Sequence, residues 1–198
     1  MMIEGIILAA GLSSRAGVFK MALKLQERSL IEHTVDAMMD NCRRIILVGG
    51  YRIERLKFLV SSYPEVRVVY NRHYSLGMFS SVQEGVRHLK GDLFFLIPGD
   101  CPFVRQSTYR QLLLAAKSGG GPDIWVPVYQ GRKGHPVLVK GFLGAEILKE
   151  PLNSTLRDFI RRKGYREVEV EDEGILKDID TAADIKKARS CHENRTET

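Results

Sequence analysis

Three short segments of this chain carry residue types at spacings that suit phosphate chemistry. In Leu8-Ala9-Ala10-Gly11-Leu12-Ser13-Ser14-Arg15-Ala16-Gly17-Val18-Phe19-Lys20, small residues come first and two cations follow. Ala9, Ala10 and Gly11 let the backbone approach a ligand closely, and successive N–H groups in such a loop form an anion nest. Arg15 and Lys20 add the positive charge that a triphosphate needs, although a strand-to-helix turn with two solvated cations would have the same composition. No GxxxxGK[ST] occurs, so this is not a Walker loop, and the lack of GxGxxG argues against a dinucleotide site. Asp100, in Ile97-Pro98-Gly99-Asp100-Cys101-Pro102, follows an apolar run and precedes a proline-stiffened turn. That placement suits a divalent cation held over phosphates, the alternative being a helix cap near Ser107. Asp178 and Asp180 stand two apart, on one face of an extended segment, where they could complete a Mg²⁺ shell, while Thr181 with Asp184 resembles a helix-starting capping box. In Asn71-Arg72-His73-Tyr74-Ser75-Leu76-Gly77-Met78-Phe79-Ser80-Ser81-Val82, Ser80 or Ser81 is suited to cap a helix whose positive end faces a polar ligand.

The elements that must position these residues are legible as alternating apolar patterns. Short apolar runs at Ile3 to Ala9, Ile45 to Val48, Val66 to Tyr70, Leu93 to Ile97 and Ile124 to Val128 read as strands buried on both faces. Between them, Leu30, Ile31, Val35, Met38 and Met39 recur at helical spacing, as do Val82, Val86 and Leu89, and Tyr109, Leu112, Leu113 and Ala116. Such alternation predicts an α/β fold in three layers, a mostly parallel sheet covered by helices on both faces, with a Rossmann-like nucleotide-binding half. After Val128 the rhythm changes: Gln130 to Gly134 reads as a hairpin or active-site loop leading into Pro136 to Val139, an antiparallel departure. Helices are expected near Phe142 to Leu148 and over Ser154 to Lys163, the latter opened by Asn153 or Ser154, and a strand near Val168 and Val170. The patch Ser118-Gly119-Gly120-Gly121-Pro122 follows a helix and should end it rather than bind phosphate. Residues 1–190 read as one domain and 191–198 as a polar tail.

Lys and Arg total 30 against 24 Asp and Glu, a formal net charge of +6. A basic balance suits anionic ligands such as nucleotides, and equally a solvated basic surface. The run Arg161-Arg162-Lys163-Gly164-Tyr165-Arg166 fits the end of a solvated helix better than a nucleic-acid site. Cys42, Cys101 and Cys191 show neither a disulfide framework nor zinc spacing, and the start of the chain has no signal-peptide or membrane-span pattern. A reducing cytoplasm, without membrane or nucleic-acid partners, is the expectation.

The first segment is similar to the LAAGxSxRMGxxK signature of the molybdenum cofactor cytidylyltransferase family, matched at Leu8, Ala9, Ala10, Gly11, Ser13, Arg15, Gly17 and Lys20, with Ala16 in place of the usual Met. The resemblance runs through roughly residues 3 to 188 in five motifs. It implies a nucleotide-diphospho-sugar transferase-like fold and Mg²⁺-dependent transfer of CMP from CTP to the terminal phosphate of molybdopterin or its molybdenum form, with pyrophosphate released. Leu8, Ala9, Ala10, Gly11 and Ser13 would contact the nucleotide, and Arg15 and Lys20 the triphosphate, Lys20 stabilising charge on the α-phosphate. The Asn71 to Ser81 run, with Gly85 after it, resembles a family segment that holds base and ribose, which carries Gly77 and Ser81 over; Phe79 stands where Gly is common. GDxP is matched at Gly99-Asp100-Cys101-Pro102, making Asp100 a metal and nucleotide ligand. Cys101 replaces Gln or Met there, as an acceptor contact or a packed inert thiol. DIDTxxD, from Asp178 to Asp184, implies Asp180 as the second metal ligand. Gly131-Arg132-Lys133-Gly134-His135-Pro136 resembles an acceptor-side GxxGHP, so His135 would meet the acceptor, and a molybdoenzyme would receive the product. The competing readings are GTP in place of CTP, against which Ala10 weighs because guanylyl-transferring relatives tend to have Gly there, a sugar or alditol phosphate acceptor, and a non-catalytic cofactor-binding chaperone.

Overall fold

The computed structural model of the chain describes residues 1–11, 19–179 and Asp184. Among these, β1 (Ile3–Ala9), β4 (Arg44–Gly49), β5 (Val66–Tyr70), β6 (Leu93–Pro98), β7 (Ile124–Tyr129), β9 (Val137–Lys140) and β10 (Arg166–Glu169) lie side by side in the order β10-β7-β9-β6-β1-β4-β5. The short β8 (Arg132–Lys133) pairs with β7, and β2 (Lys24–Leu25) with β3 (Arg28–Ser29) forms a separate ribbon. Pairings of β1 with β4 and β6, of β4 with β5 and of β7 with β10 are parallel, whereas β9 runs against both β6 and β7. The antiparallel departure expected after Val128 is therefore β8 and β9.

Both faces of the central strands are covered, which explains why they read as continuous apolar runs, whereas the edge strand β5, expected to be buried on both faces, leaves Arg67 and Tyr70 exposed. Along β1, Ile7 and Ala9 pack on one side with Val35, Met38, Leu56 and Tyr109, and Ile6 and Leu8 on the other with Phe79, Val82, Val86 and Ile147. The first set comes from α1 (Leu30–Met39), α2 (Ile53–Leu59) and α4 (Gln106–Lys117). The second comes from α3 (Met78–Val86) and α5 (Gly144–Ile147), joined by Phe159 of α6 (Leu156–Lys163). Each such side chain taken fully out of water contributes about 1.5–3 kcal/mol, so the alternation sets which face each helix must cover. At the end of the sheet where β1 begins, the one buried carboxylate of the strand, Glu4, is satisfied by Arg44 and by the Lys90 and Gly91 N–H groups.

Some local expectations are corrected. The helix near Phe142 to Leu148 is a 3₁₀ turn, Gly141–Leu143, followed by the four-residue α5. α6 is capped by Thr155, whose Oγ1 accepts from Asp158 N at 3.1 Å, not by Asn153 or Ser154; the Ser154 hydroxyl is used on Glu150. The basic run closing α6 is neutralised in place, Arg161 pairing with Asp158, Arg162 with Glu150 and Lys163 with Glu146. Among the described residues no helix is long and apolar enough to cross a membrane.

Candidate active site

An open α/β sheet offers its crevice at the carboxyl ends of its strands, and the expected site residues that the structure describes gather there. The β1 register sets Leu8 opposite both Val48 and Pro98, and Ala9 opposite Gly49, so the Ala9-Ala10-Gly11 exit lies between the ends of β4 and β6. Gly99 N donates to Leu8 O at 2.8 Å, extending that pairing into the turn that presents Asp100. Lys20 reaches the same turn from a 3₁₀ turn, Lys20–Ala22, held by its buried neighbours Phe19 and Met21. Gly99 eases this docking: a Cβ there would stand 2.9 Å from Met21 Sδ, and the methionine would have to shift. The result is an ion pair, Lys20 Nζ to Asp100 Oδ2 at 2.8 Å, with the lysine only 8% exposed. Such a pair is screened less than one on the surface.

Below this pair the chain encloses a cleft of about 1060 Å³, lined by Gly77, Phe79, Asp100, Cys101, His135 and Asp178 among others. His135 sits before β9, whose pairing of Val137 with Leu96 carries it alongside the end of β6. Residues 172–179 cross over it as a strap. Ile175 O accepts from His135 N at 3.0 Å, and Ile179 N donates to Asp100 O at 2.9 Å. A Cβ on Gly134 would meet Ile175 O at 2.2 Å, so only glycine lets the strap lie this close. Burial lowers the His135 pKa below its usual 6.5, with Asp100 and Asp178 pulling the other way, and its Nδ1 is buried without a hydrogen-bond partner. Cys101 points its thiol at Asp100 Oδ1, 3.8 Å away, and burial raises its pKa above the ordinary thiol value, keeping it protonated. That geometry supports Asp100 rather than presenting a nucleophile.

The Asn71 to Ser81 segment departs from its sequence reading. Gly77, at φ 105°, is the N-cap of α3, so the helix starts before the serines and turns them inward. Asn71 Nδ2 donates to Ser80 Oγ at 2.9 Å and Ser81 Oγ at 3.0 Å, and Ser80 donates to Gly77 O. Ser81 is thus a buried brace, while Gly77 faces the cleft. Asn71 was legible only as part of the motif, and its role as the centre of this knot appears in three dimensions. Asp172, buried and accepting from Arg105 N, Thr108 Oγ1 and Gly174 N, ties the strap to the start of α4; no local pattern signals its distant partners. Asp172, rather than Asp100, thus supplies the carboxylate at that helix start. Ser13, Arg15 and Asp180 lie outside the described residues, as do Thr181 and the rest of the expected final helix apart from Asp184, which is helical.

A family model for the MobA-like NTP transferase domain matches residues 5–168. The chain belongs to the MobA-like NTP transferase family. As a MobA-like protein it is a nucleotidyltransferase. The Escherichia coli (strain K12) molybdenum cofactor cytidylyltransferase is 30% identical over 187 residues, covering 94% of this chain and 95% of the relative. A Bacillus cereus (strain AH187) protein named as a probable molybdenum cofactor guanylyltransferase is 30% identical over 131 residues, 65% of this chain and 63% of its own length. Among solved structures, a nucleotidyl transferase from Methanothermobacter thermautotroptrophicus superposes with a TM-score of 0.81 at 26% identity, covering 98% of this chain and 99% of that one. The nucleotide-diphospho-sugar transferase-like architecture expected of a MobA-like chain is the one observed.

Proposed function

We propose that this nucleotidyltransferase moves CMP from CTP to the terminal phosphate of molybdopterin or its molybdenum form, releasing pyrophosphate. The observation that carries the reading is the Lys20–Asp100 pair at the carboxyl ends of β1 and β6, beside a cleft large enough for a second substrate. The E. coli relative, aligned over nearly the whole of both chains, supports the cytidylyl and molybdenum part. Asp100 would hold Mg²⁺, with Asp180 as the second protein ligand. Hard carboxylate oxygens suit that ion, and substrate phosphates and water would complete its shell. When bound, Mg²⁺ supplies charge neutralisation on the triphosphate.

The chain's own groups do the rest. The Ala9-Ala10-Gly11 backbone, with Leu8 and Ser13 beside it, cradles phosphate and base, and Arg15 clamps the triphosphate while Lys20 follows charge that builds on the α-phosphate. Gly77 and the start of α3 face the nucleotide, with Ser81 bracing them through Asn71. His135, neutral at pH 7, lines the cleft on the acceptor side. No general base is needed, because the attacking phosphate is already ionised; alignment and charge stabilisation suffice. The buried free thiols of Cys42 and Cys101 suit a reducing compartment, the cytoplasm, and a molybdoenzyme would take the product.

Pyrophosphate release with CTP or GTP, each with molybdopterin, tests this. CTP-dependent release is expected. A GTP preference, as the name of the B. cereus relative would suggest, rejects the cytidylyl part alone, and no release with any NTP rejects the transfer.

A further inference from the structure

We propose that Lys20 is a resident counter-cation of the metal site: in the nucleotide-free protein its ammonium sits on the Asp100 oxygen that a divalent cation would take, and it must leave before metal binds. This rests on reading Asp100 as the metal ligand. Both carboxylate oxygens are engaged, Oδ2 by Lys20 Nζ at 2.8 Å and Oδ1 by the Cys101 thiol at 3.8 Å. The backbone that carries the carboxylate is fixed, Asp100 O by Ile179 N and the preceding Gly99 by Leu8 O and the Thr34 hydroxyl. The lysine backbone is equally fixed, between buried Phe19 and Met21. What can move is the four-carbon stem of Lys20, which carries a compact point charge on rotatable bonds.

An ammonium held against a carboxylate repels a divalent cation arriving at the same group, so metal alone competes with the ammonium. A nucleotide changes the balance, since its phosphates offer Lys20 another anion. Metal and nucleotide then favour each other's binding through one lysine, and the coupling is reciprocal. The site would stay closed to adventitious cations until a nucleotide arrives.

The test is Mn²⁺ titration without nucleotide, followed by electron paramagnetic resonance of free Mn²⁺, on the full chain. Lys20→Met is expected to bind Mn²⁺ roughly tenfold more tightly than wild type, within the usual range for coupled ligands. Lys20→Gln should behave alike, which guards against a packing artefact at one variant, and Lys20→Arg should stay as weak as wild type. Asp100→Asn should remove the binding in every background. Equal Mn²⁺ affinity in wild type, Lys20→Met and Lys20→Gln, still abolished by Asp100→Asn, overturns the exchange and leaves the metal reading standing. Mn²⁺ binding that ignores Asp100→Asn overturns both.

Discussion

Replacing Asp172 by Ala should be the most destabilising single change on the strap, far from any phosphate. Its Oδ2 accepts from Arg105 N at 2.8 Å and Thr108 Oγ1 at 2.7 Å, and its Oδ1 from Gly174 N at 2.9 Å. Three bonds to a charged acceptor, at the lower figure of about 1.5 kcal/mol each, sum to about 4.5 kcal/mol. Arg105 is exposed and can bond water, and the Thr108 hydroxyl can rotate onto a helix carbonyl, which returns part of that. The net cost is therefore about 3 kcal/mol, or about 6–12 °C in Tm for a chain of this size. Asp172→Asn keeps the shape and one acceptor and should lose about half as much. Urea unfolding followed by circular dichroism measures both. Because the strap also holds His135 N and Asp100 O, the Ala variant should raise KM for the acceptor more than KM for CTP. A loss under about 1 kcal/mol would refute the view that this carboxylate clamps the strap.

Two further outcomes follow from the site. Lys20→Met should lower kcat by the roughly 2.7–4 kcal/mol typical of losing one preorganised charge-stabilising donor, with a smaller effect on CTP affinity by calorimetry. An unchanged kcat would take Lys20 out of the chemistry. For His135 the folded pKa lies below its usual 6.5, so as pH falls through 6.5 the unfolded chain takes a proton that the folded one resists. Stability is lost from there down to the folded pKa, and nothing is lost above. His135→Gln lacks that loss, so wild type should weaken relative to the variant between pH 7.5 and 5.5; a constant difference in urea midpoint would show that the imidazole is not held neutral.

The strands and the three-layer plan were readable because burial on both faces leaves an unbroken apolar run, as in Ile3–Ala9 and Leu93–Pro98, a signal that needs no partner to be recognised. The place of Asp100 was readable for a related reason: it follows a strand, so local pattern already puts it at an end of the sheet, whereas His135 stood out only through the GxxGHP resemblance. Helix starts were less legible. Ser80 and Ser81 have the right chemistry for a cap, but Gly77 reaches φ 105° and begins α3 earlier, a choice decided by backbone freedom and by Asn71 across the turn.

What the sequence by itself determined is thus the order of the main strands and of most helices, though not α2 or the β2–β3 ribbon, together with the family and the residue types available for phosphate chemistry. Tertiary structure alone decided the partnerships. Lys20 meets Asp100 across 80 positions, and Asp172 meets Arg105 across 67, because parallel strands bring together chain ends that only long crossovers connect. A carboxylate carries no local mark of the cation it will face; the sheet register and the close approaches at Gly99 and Gly134 assign it.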